Sequence, residues 1–262
     1  MTTTLRIETP QQHVRLIELN RPEAHNAFNV EMAQAFAEEV ANAEADPDAR
    51  VILLSAAGDT SFSAGADLKV LARGEAAKLS TKTGGFAGFI RAPRTKPWIA
   101  VVEGRALGGG LELCLACDMI VAGQNASFGL PEVRRGVFAG AGGVFRLPRV
   151  IPRALAFEMI ATGEPISAQR AYDAGLVNRL SAAGDAKTEA LRLAERIVLS
   201  APIAVQRSLA IARSAADETE EELWARSRTL GKDIAETEDF QEGLRAFAEK
   251  RTPTWTGRLR KS

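Results

Sequence analysis

Three short apolar runs limit what this chain can fold into: VILLSAAG (51–58), WIAVVEG (98–104) and DMIVAG (118–123). Each is continuously apolar rather than alternating, the pattern of a strand buried on both faces. VRLIELN (14–20) reads as a further strand. An amphipathic helix follows from about Val30 to Ala45, closed by Asp46-Pro47, and another helical segment lies between the last two apolar runs. Strands alternating with helices predict α/β architecture with crossover connections.

After about residue 184 the pattern becomes helical: GDAKTEALRLAERIVLSAP, then PIAVQRSLAIARSAADETEEELWARSRTLGKDIAETED, then FQEGLRAFAEKR. Ala201-Pro202 separates the first from the second. The chain reads as a core over residues 1–200 and a helical C-terminal region over 201–262. Leu209, Ile211, Leu223, Trp224, Leu230, Ile234 and Phe240 are too many apolar positions for a solvated tail. They require burial against the core or another subunit. Neither a solenoid-spaced repeat nor a low-complexity tract is present.

The 33 basic residues balance the 33 acidic ones, which argues against nucleic acid or an anionic membrane as the main partner. MTTTLRIETPQQ lacks the layout of a signal peptide, and no apolar run is long enough to span a bilayer, so a cytoplasmic protein is expected. The two cysteines form Cys114-Leu-Ala-Cys117, but a metal needs about four ligands, and both histidines, His13 and His25, lie far upstream. The expected reading is two thiols on one buried helix face and no metal site.

Chemistry concentrates in three places. In GRALGGGLELCLACD (104–118), Gly108, Gly109 and Gly110 precede a helix whose first N–H groups are free to meet an oxygen bearing negative charge. The stretch is neither GxGxxG nor a phosphate loop with Gly-Lys-Ser/Thr. Glu112 is the only charge between Arg105 and Asp118. Burial raises its pKa while the helix dipole and nearby N–H groups oppose, which suits proton exchange near neutral pH. Pro131-Glu132 places a second carboxylate at the start of another element, and Ser63-Ala64-Gly65-Ala66-Asp67 offers further N–H groups ahead of a helix. Each also has an ordinary reading, as a tight turn, a capping carboxylate or an exposed first-turn carboxylate.

Taken in order, RPEAHNAFN (21–29), SFSAGADLK (61–69), GRALGGGLELCLACD, SFGLPEVRRG (127–136), AGG (141–143), TGEPISAQRAYDAGLVNRL (162–180) and EDFQEGLRAFAEKRTPTWTGR (238–258) resemble the enoyl-CoA hydratase/isomerase (crotonase) superfamily over nearly the whole chain. The resemblance implies a crotonase-like spiral of ββα units with a helical C-terminal region for assembly into homotrimers or homohexamers. It implies acyl-CoA thioester substrates, with coenzyme A arriving as part of the substrate and no separate cofactor. Carried onto this sequence, the N–H groups of Ala66 and Gly109 would hold the thioester oxygen. Glu112 and Glu132 would be the catalytic carboxylates, and Ala24, His25, Ala66, Asp67 and Leu68 would contact coenzyme A.

Val137-Phe138-Ala139-Gly140 stands where many relatives have Ile-Pro-Gly. GGFAGF (84–89) and GVFRLPRVIP (143–152) look closer to the carnitinyl-CoA dehydratase-like branch. Gly84, Gly85 and Gly88 are expected to loosen an acyl-facing segment or to leave room in it. The expected activity is reversible syn hydration of a 2-enoyl-CoA. Alternatives are dehydration of a polar hydroxyacyl-CoA, double-bond isomerisation, and non-catalytic CoA or RNA binding. Retention of both glutamates favours hydration over isomerisation. The absence of a basic stripe interleaved with aromatics argues against RNA.

Overall fold

In chain order the strands are β1 (Leu5–Gln11), β2 (Val14–Leu19), β3 (Val51–Ala56), β4 (Ser61–Ser63), β5 (Ser80–Thr81), β6 (Gly85–Phe86), β7 (Trp98–Val102), β8 (Arg105–Leu107), β9 (Met119–Gly123), β10 (Ser127–Gly129), β11 (Ile166–Ser167) and β12 (Arg179–Ser181). The helices are α1 (Val30–Ala45), α2 (Leu68–Ala72), α3 (Gly109–Ala116), α4 (Gly143–Val150), α5 (Arg153–Thr162), α6 (Ala168–Asp173), α7 (Ala186–Val198), α8 (Pro202–Ser214), α9 (Glu220–Ala235) and α10 (Glu238–Glu249). The structure, a computed structural model, describes residues 3–260. It comprises two units: one runs to Arg94 and resumes over Trp98–Leu193, and the other is Thr95–Pro97 with the residues from Ala194 onward.

The apolar runs form the inner strands of a six-stranded sheet ordered β1-β2-β3-β7-β9-β12, parallel except between β1 and β2. All five residues of β7 are buried, as are the first five of β3. Both faces of these strands are covered, which is why their sequences do not alternate. On one face α1 packs Met32, Phe36 and Val40, one helical turn apart. Phe36 stacks at 5.5 Å on Phe89, which stacks at 4.9 Å on Trp98.

Each inner strand continues into a short strand of a second sheet: β3 into β4, β7 into β8, β9 into β10. The second sheet is ordered β11-β10-β8-β4, and β4, β8 and β10 are parallel neighbours. A helix or helical turn follows each pair of strands, so the chain coils as successive ββα turns. Parallel neighbours end on the same sheet edge, and ligands favour that edge in α/β folds. Here it carries Ala64–Asp67 after β4, Gly108 and Gly109 after β8, and Leu130–Glu132 after β10.

Several expectations need revision. Cys114 lies buried on α3, but the helix ends at Ala116, and Cys117 is its half-buried cap rather than a residue within it. Burial pushes the Cys114 thiol well above its usual range and Cys117 to about 12, which leaves both protonated and unreactive. Gly88 is a packing residue rather than a loosening one, because a Cβ on it would stand 2.2 Å from the Ala37 Cβ of α1. In the second unit, the long pattern read as one segment divides into α8 and α9. Thr219 starts α9 with a capping box closed by Glu222. Trp224 and Phe240 are exposed there. Among the described residues no helix is long and apolar enough to cross a membrane, and no cluster of His, Cys, Asp and Glu could hold a metal.

Candidate active site

The loop RPEAHNAFN is held to β4 by a buried asparagine. Asn26 accepts from the Arg21 N–H at 2.8 Å and donates to the Ala57 and Ser61 carbonyls at 3.0 and 2.8 Å. The Ser63 hydroxyl donates to the Asn26 carbonyl at 2.8 Å. His25 and Asn26 take left-handed conformations, at φ 53° and 52°, which turns the chain back on itself. This fixes the loop that carries Ala24 and His25.

Phe28 then pairs with the residues flanking Ala66. Its N–H donates to the Gly65 carbonyl at 2.7 Å, and its carbonyl accepts from the Asp67 N–H at 3.0 Å. Successive peptide groups in an extended strand point to opposite sides, so the Ala66 N–H is turned away from Phe28. Gly109 is the first residue of α3, and its N–H has no intrahelical acceptor. Among the described residues neither N–H has a hydrogen-bond partner. The two backbones touch: a Cβ on Gly65, which sits at φ +81°, would lie 2.5 Å from the Gly109 nitrogen. Side chains at these positions would push the two donors apart.

Glu112, 3% exposed, sits one turn into α3. Its Oε1 accepts from the Gly143 N–H at 2.9 Å, and the Ala141 N–H also stabilises the charged form. Burial dominates nevertheless and, with the nearby charge of Glu132, pushes its pKa up to about 7. Glu132, in the helical turn Pro131–Arg135, is also raised by burial, with Arg135 opposing. Its Oε2 is buried and without a partner among the described residues. A Cβ on Gly108 would stand 3.0 Å from its Oε1, which puts the carboxylate beside the glycine run.

These elements enclose one cavity of about 740 Å³. Ala24, His25, Ala66, Asp67, Leu68, Gly109, Glu112 and Glu132 all line it. The Asp67 carboxylate is already engaged, capping α2 through the Lys69 N–H and pairing with Arg21 at 3.4 Å. Val137 and Phe138 also line the cavity and are 54% and 70% exposed. Phe86 packs on Phe28 at 5.5 Å and forms cavity wall next to Gly109. Asn26, Arg21, Phe86 and Arg135 are features that the sequence reading missed. The HN pair within a turn is the one signal that pointed to Asn26. The arrangement offers two converging N–H groups for a developing oxyanion and two carboxyl groups able to move protons at one substrate.

Residues 9–258 match the family model described as enoyl-CoA hydratase/isomerase. The chain is 42% identical over 247 residues to a carnitinyl-CoA dehydratase of Salmonella enteritidis PT4, covering 92% of this chain and 94% of that one. It is similar to the crystal structure of enoyl-CoA hydratase from Mycobacterium tuberculosis H37Rv at a TM-score of 0.93 and 39% identity, over 98% of this chain and 100% of that one. A carnitinyl-CoA hydratase from Mycobacterium avium matches at a TM-score of 0.77 and 42% identity, with the same coverage.

Proposed function

We propose a mechanism for a chain that belongs to the enoyl-CoA hydratase/isomerase family, toward its carnitinyl-CoA dehydratase-like branch. The chain is a hydro-lyase of the enoyl-CoA hydratase type. The reaction is reversible syn addition of water across the 2,3 double bond of a 2-enoyl-CoA. The thioester oxygen lies between the N–H groups of Ala66 and Gly109. As charge builds on that oxygen, the two donors lower the cost of enolate character, and one such donor is worth about 3 kcal/mol.

Glu112, ionised, takes a proton from water as its oxygen bonds to Cβ. Glu132, protonated, gives a proton to Cα. The balance closes when one proton passes back from Glu112 to Glu132. Dehydration runs the same steps in reverse. Ala24, His25 and the 66–68 segment receive the coenzyme A portion, which enters as part of the substrate. The exposed apolar side chains of the second unit, Trp224 and Phe247 among them, fit assembly into a homotrimer or homohexamer, and the cytoplasm is the proposed location.

The observation that carries this reading is the meeting of the buried Glu112 carboxyl, the half-buried Glu132 carboxyl and two unpartnered N–H groups in one cavity. It is tested by following loss of the conjugated thioester absorbance of crotonyl-CoA with the protein, Glu112→Gln and Glu132→Gln. Activity that both variants abolish is the expected result, and full activity in either removes that residue from the mechanism. A second reading, dehydration of a polar hydroxyacyl-CoA, is favoured by the 42% identity to a protein named for carnitinyl-CoA. It predicts faster turnover of carnitinyl-CoA than of a hydroxybutyryl thioester by the same two glutamates.

A further inference from the structure

Glu112 is held by a turn rather than by another side chain. The turn is Ala141-Gly142-Gly143, which leads into α4. Behind it lies Arg146. The Arg146 backbone N–H donates to the Gly142 carbonyl at 2.9 Å. Its guanidinium donates to the Ala141 carbonyl at 3.3 Å and to the Ile90 carbonyl, in a different segment, at 2.8 Å. The guanidinium fills the space beside the turn where a side chain would stand: a Cβ on Gly142, at φ +111°, would come within 2.6 Å of Nη1. One side chain therefore joins the Ala141 end of the turn to a neighbouring segment.

The charge of Arg146 is not placed there cheaply. It is half-buried, and burial works against its charged form while Glu112 favours it and Arg149 opposes it. The groups acting on Glu112 are the Gly143 and Ala141 N–H groups, Glu132 from the turn after β10, and Arg146 from α4. Arg135 acts on Glu132 instead. Arg21 and Asp67 pair with each other, and Glu23, His25 and Lys69 also line the cavity.

We propose that Arg146 is a positioning residue for hydration, clamping the 141–143 turn against Glu112 and setting a positive charge behind that turn. The inference rests on the reading of Glu112 as the base. Two consequences separate clamp from charge. Removing the charge leaves burial and Glu132 less opposed, so Glu112 ionises at higher pH. Removing only the span between the two carbonyls leaves the ionisation in place and loosens the carboxylate.

The test compares pH profiles of kcat/KM for wild type, Arg146→Gln, Arg146→Lys and Glu112→Gln as full-length purified proteins. For Arg146→Gln the acidic limb moves up by about half a pH unit, since Arg146 is an opposite charge near Glu112 but the weakest of the groups acting on it. The rate relative to wild type then falls about twofold near pH 7, where the ionised fraction of Glu112 drops from about one half to about one quarter, and the difference closes at higher pH. For Arg146→Lys the limb stays in place and kcat falls about threefold with KM unchanged, as for loss of one hydrogen bond that positions the base. An unmoved limb in Arg146→Gln, or a loss equal at every pH, overturns the charge. Wild-type kcat in Arg146→Lys overturns the clamp, and it decides the matter alone if Arg146→Gln does not fold. If Glu112→Gln keeps the acidic limb, the assignment of the base has failed; if it is inactive while Arg146→Gln behaves as wild type, only the role of Arg146 has failed.

Discussion

Replacing Gly109 by alanine adds one methyl group at the most constrained point of the proposed oxyanion hole. Alanine suits the first turn of a helix better than glycine, so the backbone itself accepts the change. The obstacle is space. The new Cβ would lie 2.9 Å from the Phe86 ring and 3.0 Å from the Gly65 Cα. Carbon atoms in contact settle at about 3.5–4 Å, so the start of α3 and the 65–66 segment must part by about half an ångström or more. That movement shifts one donor, the Gly109 N–H, relative to the other, the Ala66 N–H. A misplacement of about 1 Å costs on the order of a hundredfold, and loss of one oxyanion donor costs about 10²–10³ in kcat, or about 2.7–4 kcal/mol. We expect kcat on an enoyl-CoA to fall by about a hundredfold with KM changed far less, since the donors act mainly as charge develops. The assay is steady-state hydration, with circular dichroism and a thermal melt to verify folding. A folded Gly109→Ala protein within about fivefold of wild-type kcat would refute the two-donor geometry, since one donor alone is worth more than that.

Other outcomes follow from the same structure. Hydration should fall as pH drops below about 7, because Glu112 must be ionised to act as base; a flat profile from pH 5 to 9 would contradict this. The raised pKa of Glu112 also means that the folded state binds more protons, so stability is lost as pH rises from the ordinary carboxyl value of 4.5 to about 7. Glu112→Gln should therefore be more stable than wild type at pH 8 by about 3 kcal/mol at most, with the gain gone near pH 4, as read by denaturant unfolding at both pH values. Gly88→Ala should cost about 2 kcal/mol or more in the same experiment, because its methyl would overlap Ala37 at a backbone φ of +66°. Phe138→Ala should leave stability within about 0.5 kcal/mol while changing the ratio of kcat/KM between short and bulky acyl-CoA thioesters, since the ring is exposed on the cavity wall.

The parts of the fold that can be read from sequence are those with a long enough signal. β3, β7 and β9 are legible because strands covered on both faces carry unbroken apolar runs, and α1 because its buried positions recur at helical spacing. The second sheet is not legible. β4, β8, β10 and β11 have two or three residues each, too few for any periodicity, although β4, β8 and β10 lead into the loops that line the cavity. Glu112 stands out as a lone charge in an apolar helix, and Glu132 by its place in an ordered set of motifs. Arg146 does not stand out, because a basic residue in GVFRLPR looks like a solvated helix position until its guanidinium is seen spanning two carbonyls. The packing role of Gly88 is equally hidden, since the neighbour that demands it, Ala37, is distant in sequence.

The account is tested most directly by a crystal structure of the protein with an unreactive acyl-CoA thioester. It predicts the thioester oxygen within about 3 Å of both the Ala66 and Gly109 nitrogens, with Glu112 and Glu132 on the same face of the acyl Cα–Cβ bond. A thioester oxygen turned away from either nitrogen, or an acyl chain that leaves the two carboxyl groups on opposite faces, would contradict it.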